Sequence, residues 1–133
     1  MFELTPQNGA WTETVLYSFQ FGLTGPTDGY YPRAGLILDA AGNIYGTTTS
    51  GGLDQCEANE GASYNYCGTV FQLQPPSSPG GAWTETLIHR FTGRADGQSP
   101  WAALIMDEQG IMYGTSYGDY FYCASFVIDY GNR

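Results

Sequence analysis

The sequence predicts an all-β protein made of two four-stranded antiparallel repeats, with one extra strand at its C-terminal end. Three observations carry that prediction. The phrase "GAWTETVLYSF" at 9–19 returns almost unchanged as "GAWTETLIHRF" at 81–91. A second segment, "PRAGLILDAAGNIYGTTTSGG" at 32–52, matches "PWAALIMDEQGIMYGTSYGD" at 100–119. The composition agrees, with 19 glycines, 16% aromatic residues and only 13% charged ones. Such a mixture suits strands joined by tight turns and leaves few of the residues that favour helices.

Taken in order, each repeat begins with a strand opened by Phe: "FELTP" from Phe2 and "FQLQP" from Phe71, with a third copy, "FVIDY", from Phe126. Pro6 and Pro75 are expected to end the first two, because proline cannot donate to a ladder. The second strand runs from Trp11 to Phe19 and from Trp83 to Phe91, rich in Thr, Val, Ile and aromatic residues. The third is "AGLILD" or "AALIMD", and the fourth "IYGTT" or "MYGTS". Between these two lies a hairpin turn, "DAAGN" or "DEQGI", whose Gly42 or Gly110 is free to take positive φ. No stretch of useful length shows a helical period.

Patterning then selects among all-β folds. Leu36, Ile37 and Leu38 are consecutive and apolar, as are Leu104, Ile105 and Met106. A strand with one wet face alternates, so these strands are expected to be covered on both faces. Blades of a β-propeller pack against neighbours on both faces, whereas a two-sheet sandwich covers one face of each sheet. The expected domains are a first repeat over 1–70, with a Cys-bracketed loop at 52–67, and a second repeat with the terminal strand over 71–133. A ring takes about 4–8 blades, so two repeats imply closure by homo-oligomerisation. The surplus Phe strand is expected to pair across a subunit boundary.

The combined order is W-x-E-T-V-L-Y-S-F, DG, P-x-A-G-L-I-L-D-x-x-G-N-x-Y-G-T-T, then G-T-V-F-x-L. It resembles the bacterial GloVer tandem repeat over nearly the whole chain, from Phe2 to about Ser116. The resemblance implies a propeller-like repeat in secreted or surface-anchored proteins and implies no chemistry. Three departures stand out: Arg33 becomes Trp101, Asn43 becomes Ile111, and Tyr17 becomes His89. The tail from Tyr117 also drifts from the pattern.

Charge excludes several partners. The net charge is −9, and the four cations are Arg33, Arg90, Arg94 and Arg133. Without a basic stripe, a nucleic-acid or anionic-membrane partner is not expected. No apolar run reaches the ~18 residues of a membrane helix. Met1 leads directly into a repeat strand, so no signal peptide is expected here; a leader has been removed or the chain is a piece of something larger. Cys56 and Cys67 bracket "CEANEGASYNYC" in a spacing that fits no zinc pattern. A disulfide between them would close this loop and place the protein in an extracellular or cell-surface setting; two unpaired thiols are the alternative. Cys123 is then the odd thiol, free or linking chains.

No catalytic residue, metal site or cofactor is expected. His89 aligns with Tyr17 on a strand and is read as a packed histidine. Asp39 and Asp107 open turns, where carboxylates accept backbone N–H bonds, and "DAAGN" lacks calcium-loop spacing. Asp28-Gly29 and Asp96-Gly97 read as turns too. Glu13 and Glu85 are carboxylates of the kind that hydrolyse glycosides, yet they are equivalent positions in separate repeats, which points to structure. Aromatic residues beside loops are the feature that supports binding: Trp101, Tyr30, Tyr31, Tyr64, Tyr66, Tyr117 and Tyr120. Rings with polar tips suit sugar faces and protein partners alike, and Tyr replacing absent charged residues on the surface is the plainer reading. The expected function is a non-catalytic binding or scaffold module whose partners are copies of itself and a glycan or surface protein. The alternatives are a purely structural, assembly-forming repeat and a polysaccharide-acting enzyme using Glu13 or Glu85.

Overall fold

Short turns decide which strands become neighbours. The structure is a computed structural model and describes residues 1–20, 28–52, 67–93, 96–117 and 124–129. Among them are nine strands and no helix: β1 (Phe2–Gln7), β2 (Ala10–Val15), β3 (Ile37–Leu38), β4 (Ile44–Thr48), β5 (Thr69–Gln74), β6 (Thr84–Arg90), β7 (Ile105–Met106), β8 (Ile111–Ser116) and β9 (Ala124–Asp129). They form three antiparallel sheets, β1-β2, β3-β4-β5-β6 and β7-β8-β9, and none closes into a barrel.

The all-β antiparallel expectation holds, but the strands are grouped differently. The four-stranded sheet starts with the Leu-Ile strand and ends with the Trp strand of the following repeat, so it runs across residues 70 and 71. Connection length explains the shift. The turns at 39–43 and 75–83 are short enough to return the chain antiparallel, whereas 16–36 carries it from one sheet to the next. The insertion between β4 and β5 does not break their pairing, because Gly68 N–H donates to Gly51 O (3.0 Å) and closes its ends. β1 and β9 each pair on one side only, β1 with β2 and β9 with β8.

Two local expectations are corrected. Pro6 does not end its strand but pairs with Trp11 inside β1; β1 is an edge strand, the place where a sheet accepts a residue with no N–H. β5 does stop at Gln74, before Pro75. The strands covered on both faces are β4, buried throughout, and β5, buried up to Leu73. The third-strand segments reduce to the two-residue β3 and β7, and Leu38 and Ile105 are exposed. Burial needs another layer over the face, and the neighbouring sheets do not reach over Leu38 or Ile105.

Packing repeats as faithfully as sequence does. On one face of the central sheet, Ile44, Phe71 and Leu73 are covered by Met1, Leu16, Tyr17 and Phe19 from the first hairpin and its exit. On the other face, Tyr45, Val70 and Phe91 pack against Leu104, Met112 and Phe126 of the third sheet. The key contacts are equivalent: Phe19 meets Phe71 edge-on at 4.9 Å, and Phe91 meets Phe126 edge-on at 4.9 Å. Beneath each ring lies a glycine that must remain one. A Cβ on Gly46 would stand 2.7 Å from Phe71 Cζ and 2.8 Å from Leu36 Cδ2, and Gly114 is closed over by Phe126 and Leu104 in the same way. Successive sheets therefore stack through one recurring joint.

Candidate functional site

The loops entering β3 and β7 are built by the same device. Asp28 accepts from the Tyr17 hydroxyl (2.5 Å) and from Gln20 N–H (3.0 Å). Asp96 takes Thr92 N–H (3.0 Å) and the Thr92 hydroxyl (2.5 Å), and lies 3.1 Å from His89 Nε2. His89 also meets Phe91 edge-on at 4.8 Å, so it is a packing and pairing residue. Burial and the bond to Asp28 push the Tyr17 hydroxyl well above its ordinary pKa. After each Asp-Gly pair the chain enters the left-handed region at an equivalent non-glycine residue, Tyr31 (φ 59°) and Ser99 (φ 46°). Asn and Asp tolerate that region better, so the conformation is held from outside. Thr49 N–H donates to Tyr31 O (3.2 Å), and Ser99 N–H donates to Cys67 O (2.7 Å).

This geometry gathers part of the expected aromatic set. Tyr31 and Trp101 are exposed, and the Arg33 guanidinium lies over both rings, 5.4 Å from the Tyr31 centroid and 4.9 Å from the Trp101 centroid. Arg33 and Trp101 occupy equivalent repeat positions, so the cluster forms where matching points of successive sheets converge. Gly35 and Ala103, also equivalent, sit beside them: a Cβ on Gly35 would be 3.4 Å from that of Ala103. A guanidinium held by two rings gains cation–π attraction of about 0.5–1 kcal/mol at an exposed site. It leaves a cation beside an aromatic edge in a strongly acidic protein. Sequence reasoning missed Arg33, although its replacement by Trp101 at the matching position was visible.

The other expected binding residues separate. Tyr30 is corrected from a surface ring to a buried one: its backbone pairs with Ser50, and its ring meets Tyr31 edge-on at 5.1 Å. Tyr117 is exposed and bridges to Gln98. Tyr64, Tyr66 and Tyr120 lie outside the described residues, as do Cys56 and Cys123. Cys67 is buried and disulfide-bonded; its partner lies outside the described residues. Asp39 acts as a turn acceptor, taking Ala41 N–H and Asn43 N–H (both 2.9 Å) and the Tyr45 hydroxyl (3.0 Å). Burial alone would raise its pKa, but the bond from the Asn43 side-chain amide (2.7 Å), together with these, outweighs burial and holds the carboxyl below the ordinary range. Asp107 repeats the arrangement with Gln109, Ile111 and Tyr113. A shallow depression of about 440 Å³ lies at the opposite end of the central sheet, lined by Asn43, Gln74, Ser78 and Thr84 among others, with no ionisable group. Among the described residues, no cluster of His, Cys, Asp and Glu could hold a metal ion.

The two repeat carboxylates have different surroundings. Glu13 is exposed on β2. Glu85, opposite Leu73, has an Oε1 that is buried with no hydrogen-bond partner. Burial and the nearby Asp28 charge push its carboxyl up to about 7, against a smaller opposing pull from Arg90. The raised value means that the folded state favours the protonated form. That contribution is complete below pH 4.5 and is lost as pH rises through 7. Glu85→Gln is therefore expected to be more stable than the parent at pH 8, by about 1–2 kcal/mol once solvent screening is allowed for. The advantage should vanish below pH 4.5. Urea unfolding at both pH values checks this; equal stabilities at pH 8 would exclude a strained Glu85.

Comparison with protein-family models, curated proteins and solved structures returned no match.

Proposed function

We propose that this chain is a non-catalytic, extracellular repeat scaffold of the propeller type, which binds a glycan through the Tyr31–Arg33–Trp101 platform. The observation that carries the reading is the exposed ring–guanidinium–ring stack. The open face of Trp101 suits the apolar face of a sugar ring, and the guanidinium edge suits its hydroxyl or carboxylate oxygens. Stacked sheets joined by the recurring Phe contacts support the propeller reading, as does the resemblance to GloVer repeats. In a ring of blades, the points where equivalent residues converge would face the axis, where propellers form their mouths. The disulfide at Cys67 supports an oxidising compartment.

Trp101→Ala is expected to weaken binding to a responsive glycan at least tenfold, with no loss of cooperative unfolding, because the ring is exposed. A glycan array followed by titration calorimetry measures the first effect, and thermal unfolding the second. Unfolding of Trp101→Ala would show that the ring belongs to the core. Unchanged glycan affinity would remove it from the site.

A second reading, a structural and assembly-forming repeat protein, is favoured by the apolar residues left exposed on the two end sheets.

A further inference from the structure

The end sheets expose faces that their own repeat equivalents bury. In the central sheet Phe71 and Leu73 are both 0% exposed, covered by the hairpin that precedes them. Their equivalents on β1, Phe2 and Leu4, are 59% and 50% exposed. The register places Phe2, Leu4, Trp11 and Val15 on one face of the hairpin, with Glu13 its only charged member. At the other end of the stack, Ile105 pairs with Tyr113 and Tyr113 with Val127, forming a continuous row across β7, β8 and β9. Ile105, Tyr113 and Val127 are all exposed. The matching row in the central sheet, Ile37, Tyr45 and Gln72, belongs to the covered face, and Tyr45 is 4% exposed where Tyr113 is 38%. The central sheet has the polar Gln72 where the end sheet has the apolar Val127.

We infer that these two faces cover one another between copies of the chain: the Phe2–Leu4–Trp11–Val15 face of one molecule docks on the Ile105–Tyr113–Val127 face of the next. This rests on the repeat-scaffold reading above, and it adds the surfaces and the polarity of assembly. The warrant is the joint seen within the chain. Between the second and third sheets, the face carrying Phe126 meets the face carrying Tyr45 of the sheet before it in chain order; the Phe71 face of the central sheet is covered in turn by Met1, Leu16, Tyr17 and Phe19 of the hairpin and its exit. A third joint of the same kind would set a Tyr-row face against β1-β2, and a second copy offers one. The contact is head-to-tail, so it propagates until a ring closes. Each copy carries a charge of −9, so salt that screens the repulsion should strengthen association.

Sedimentation velocity of the full chain from about 1 μM to about 100 μM should show mass rising with concentration, and more steeply in high salt. Leu4→Glu and Val127→Glu should each remain folded, since both side chains are exposed in the single molecule, and should each be monomeric across the same range. Circular dichroism at low concentration confirms the fold. An equimolar mixture of the two variants should form dimers and nothing larger, because one intact face of each kind remains. A parent chain monomeric throughout overturns the inference while leaving the glycan platform, tested separately by Trp101→Ala, intact. Dimerisation of either variant alone overturns it too, because that signature belongs to a face pairing with itself.

Discussion

Phe71→Ala is expected to remove about 3–5 kcal/mol of stability, whereas Phe2→Ala, the same residue of the preceding repeat, should cost less than about 0.5 kcal/mol in the monomer. Phe71 is fully buried, in edge-on contact with Phe19, and closes over Gly46. Its loss opens a cavity that cannot collapse easily, because the backbone of β4 already lies against the ring. Among the described residues no sheet covers Phe2, and truncation removes a ring that is mostly in water. Urea unfolding at low protein concentration measures both. Similar costs at the two positions would mean that the hairpin is enclosed after all. The comparison also isolates tertiary context, since strand type and local sequence are shared.

Loss of the disulfide at Cys67 should rank next, at about 2–4 kcal/mol. Cys67 is buried in the cluster between the second and third sheets, and its carbonyl accepts from Ser99 N–H in the loop leading to Trp101. Cys67→Ala removes the bond without burying a hydroxyl but also deletes a buried sulfur, so comparing it with the reduced parent separates the cross-link from the lost packing. We predict that Cys56 is the partner and that Cys123 is the odd thiol. In the chain-entropy account a loop of about a dozen residues contributes about 3 kcal/mol, and a bond to Cys123 would close a longer loop and contribute more. Peptide mapping without reduction decides the pairing, and a Cys67–Cys123 peptide would overturn it. Reduction of the parent should also loosen the Tyr31–Arg33–Trp101 platform, because Cys67 anchors one of its loops.

Several features of the site were legible in the residues. Asp39 and Asp107 sit four residues before an Asn and an Ile in tight turns, and each accepts the backbone N–H bonds that such a position invites. His89 matched Tyr17 by position and does matching work, each reaching the carboxylate of an Asp-Gly turn. Tyr30 and Tyr31 are neighbours of the same type, yet one is buried and the other exposed. Backbone pairing of Tyr30 with Ser50 turns its side chain inward, and nothing in the sequence announces that bridge. Arg33 gained its role only when loops from two repeats met, a contact spanning many residues of chain.

What the sequence determined by itself was the identity of the strands, the turns that pair β3 with β4 and β7 with β8, and the equivalence of positions between repeats. Those features depend on a few adjacent residues: an Asp acceptor, a glycine at positive φ, and a run of β-formers. Only the tertiary structure decided how nine strands divide into sheets of two, four and three, and which copy of a repeated residue is buried. Glu13 and Glu85 stand in the same phrase, as do Phe2 and Phe71, yet one of each pair lies in the core region and the other in solvent. Burial is not a property of the phrase: it requires another layer over the face, and among the described sheets the central one is covered on both sides.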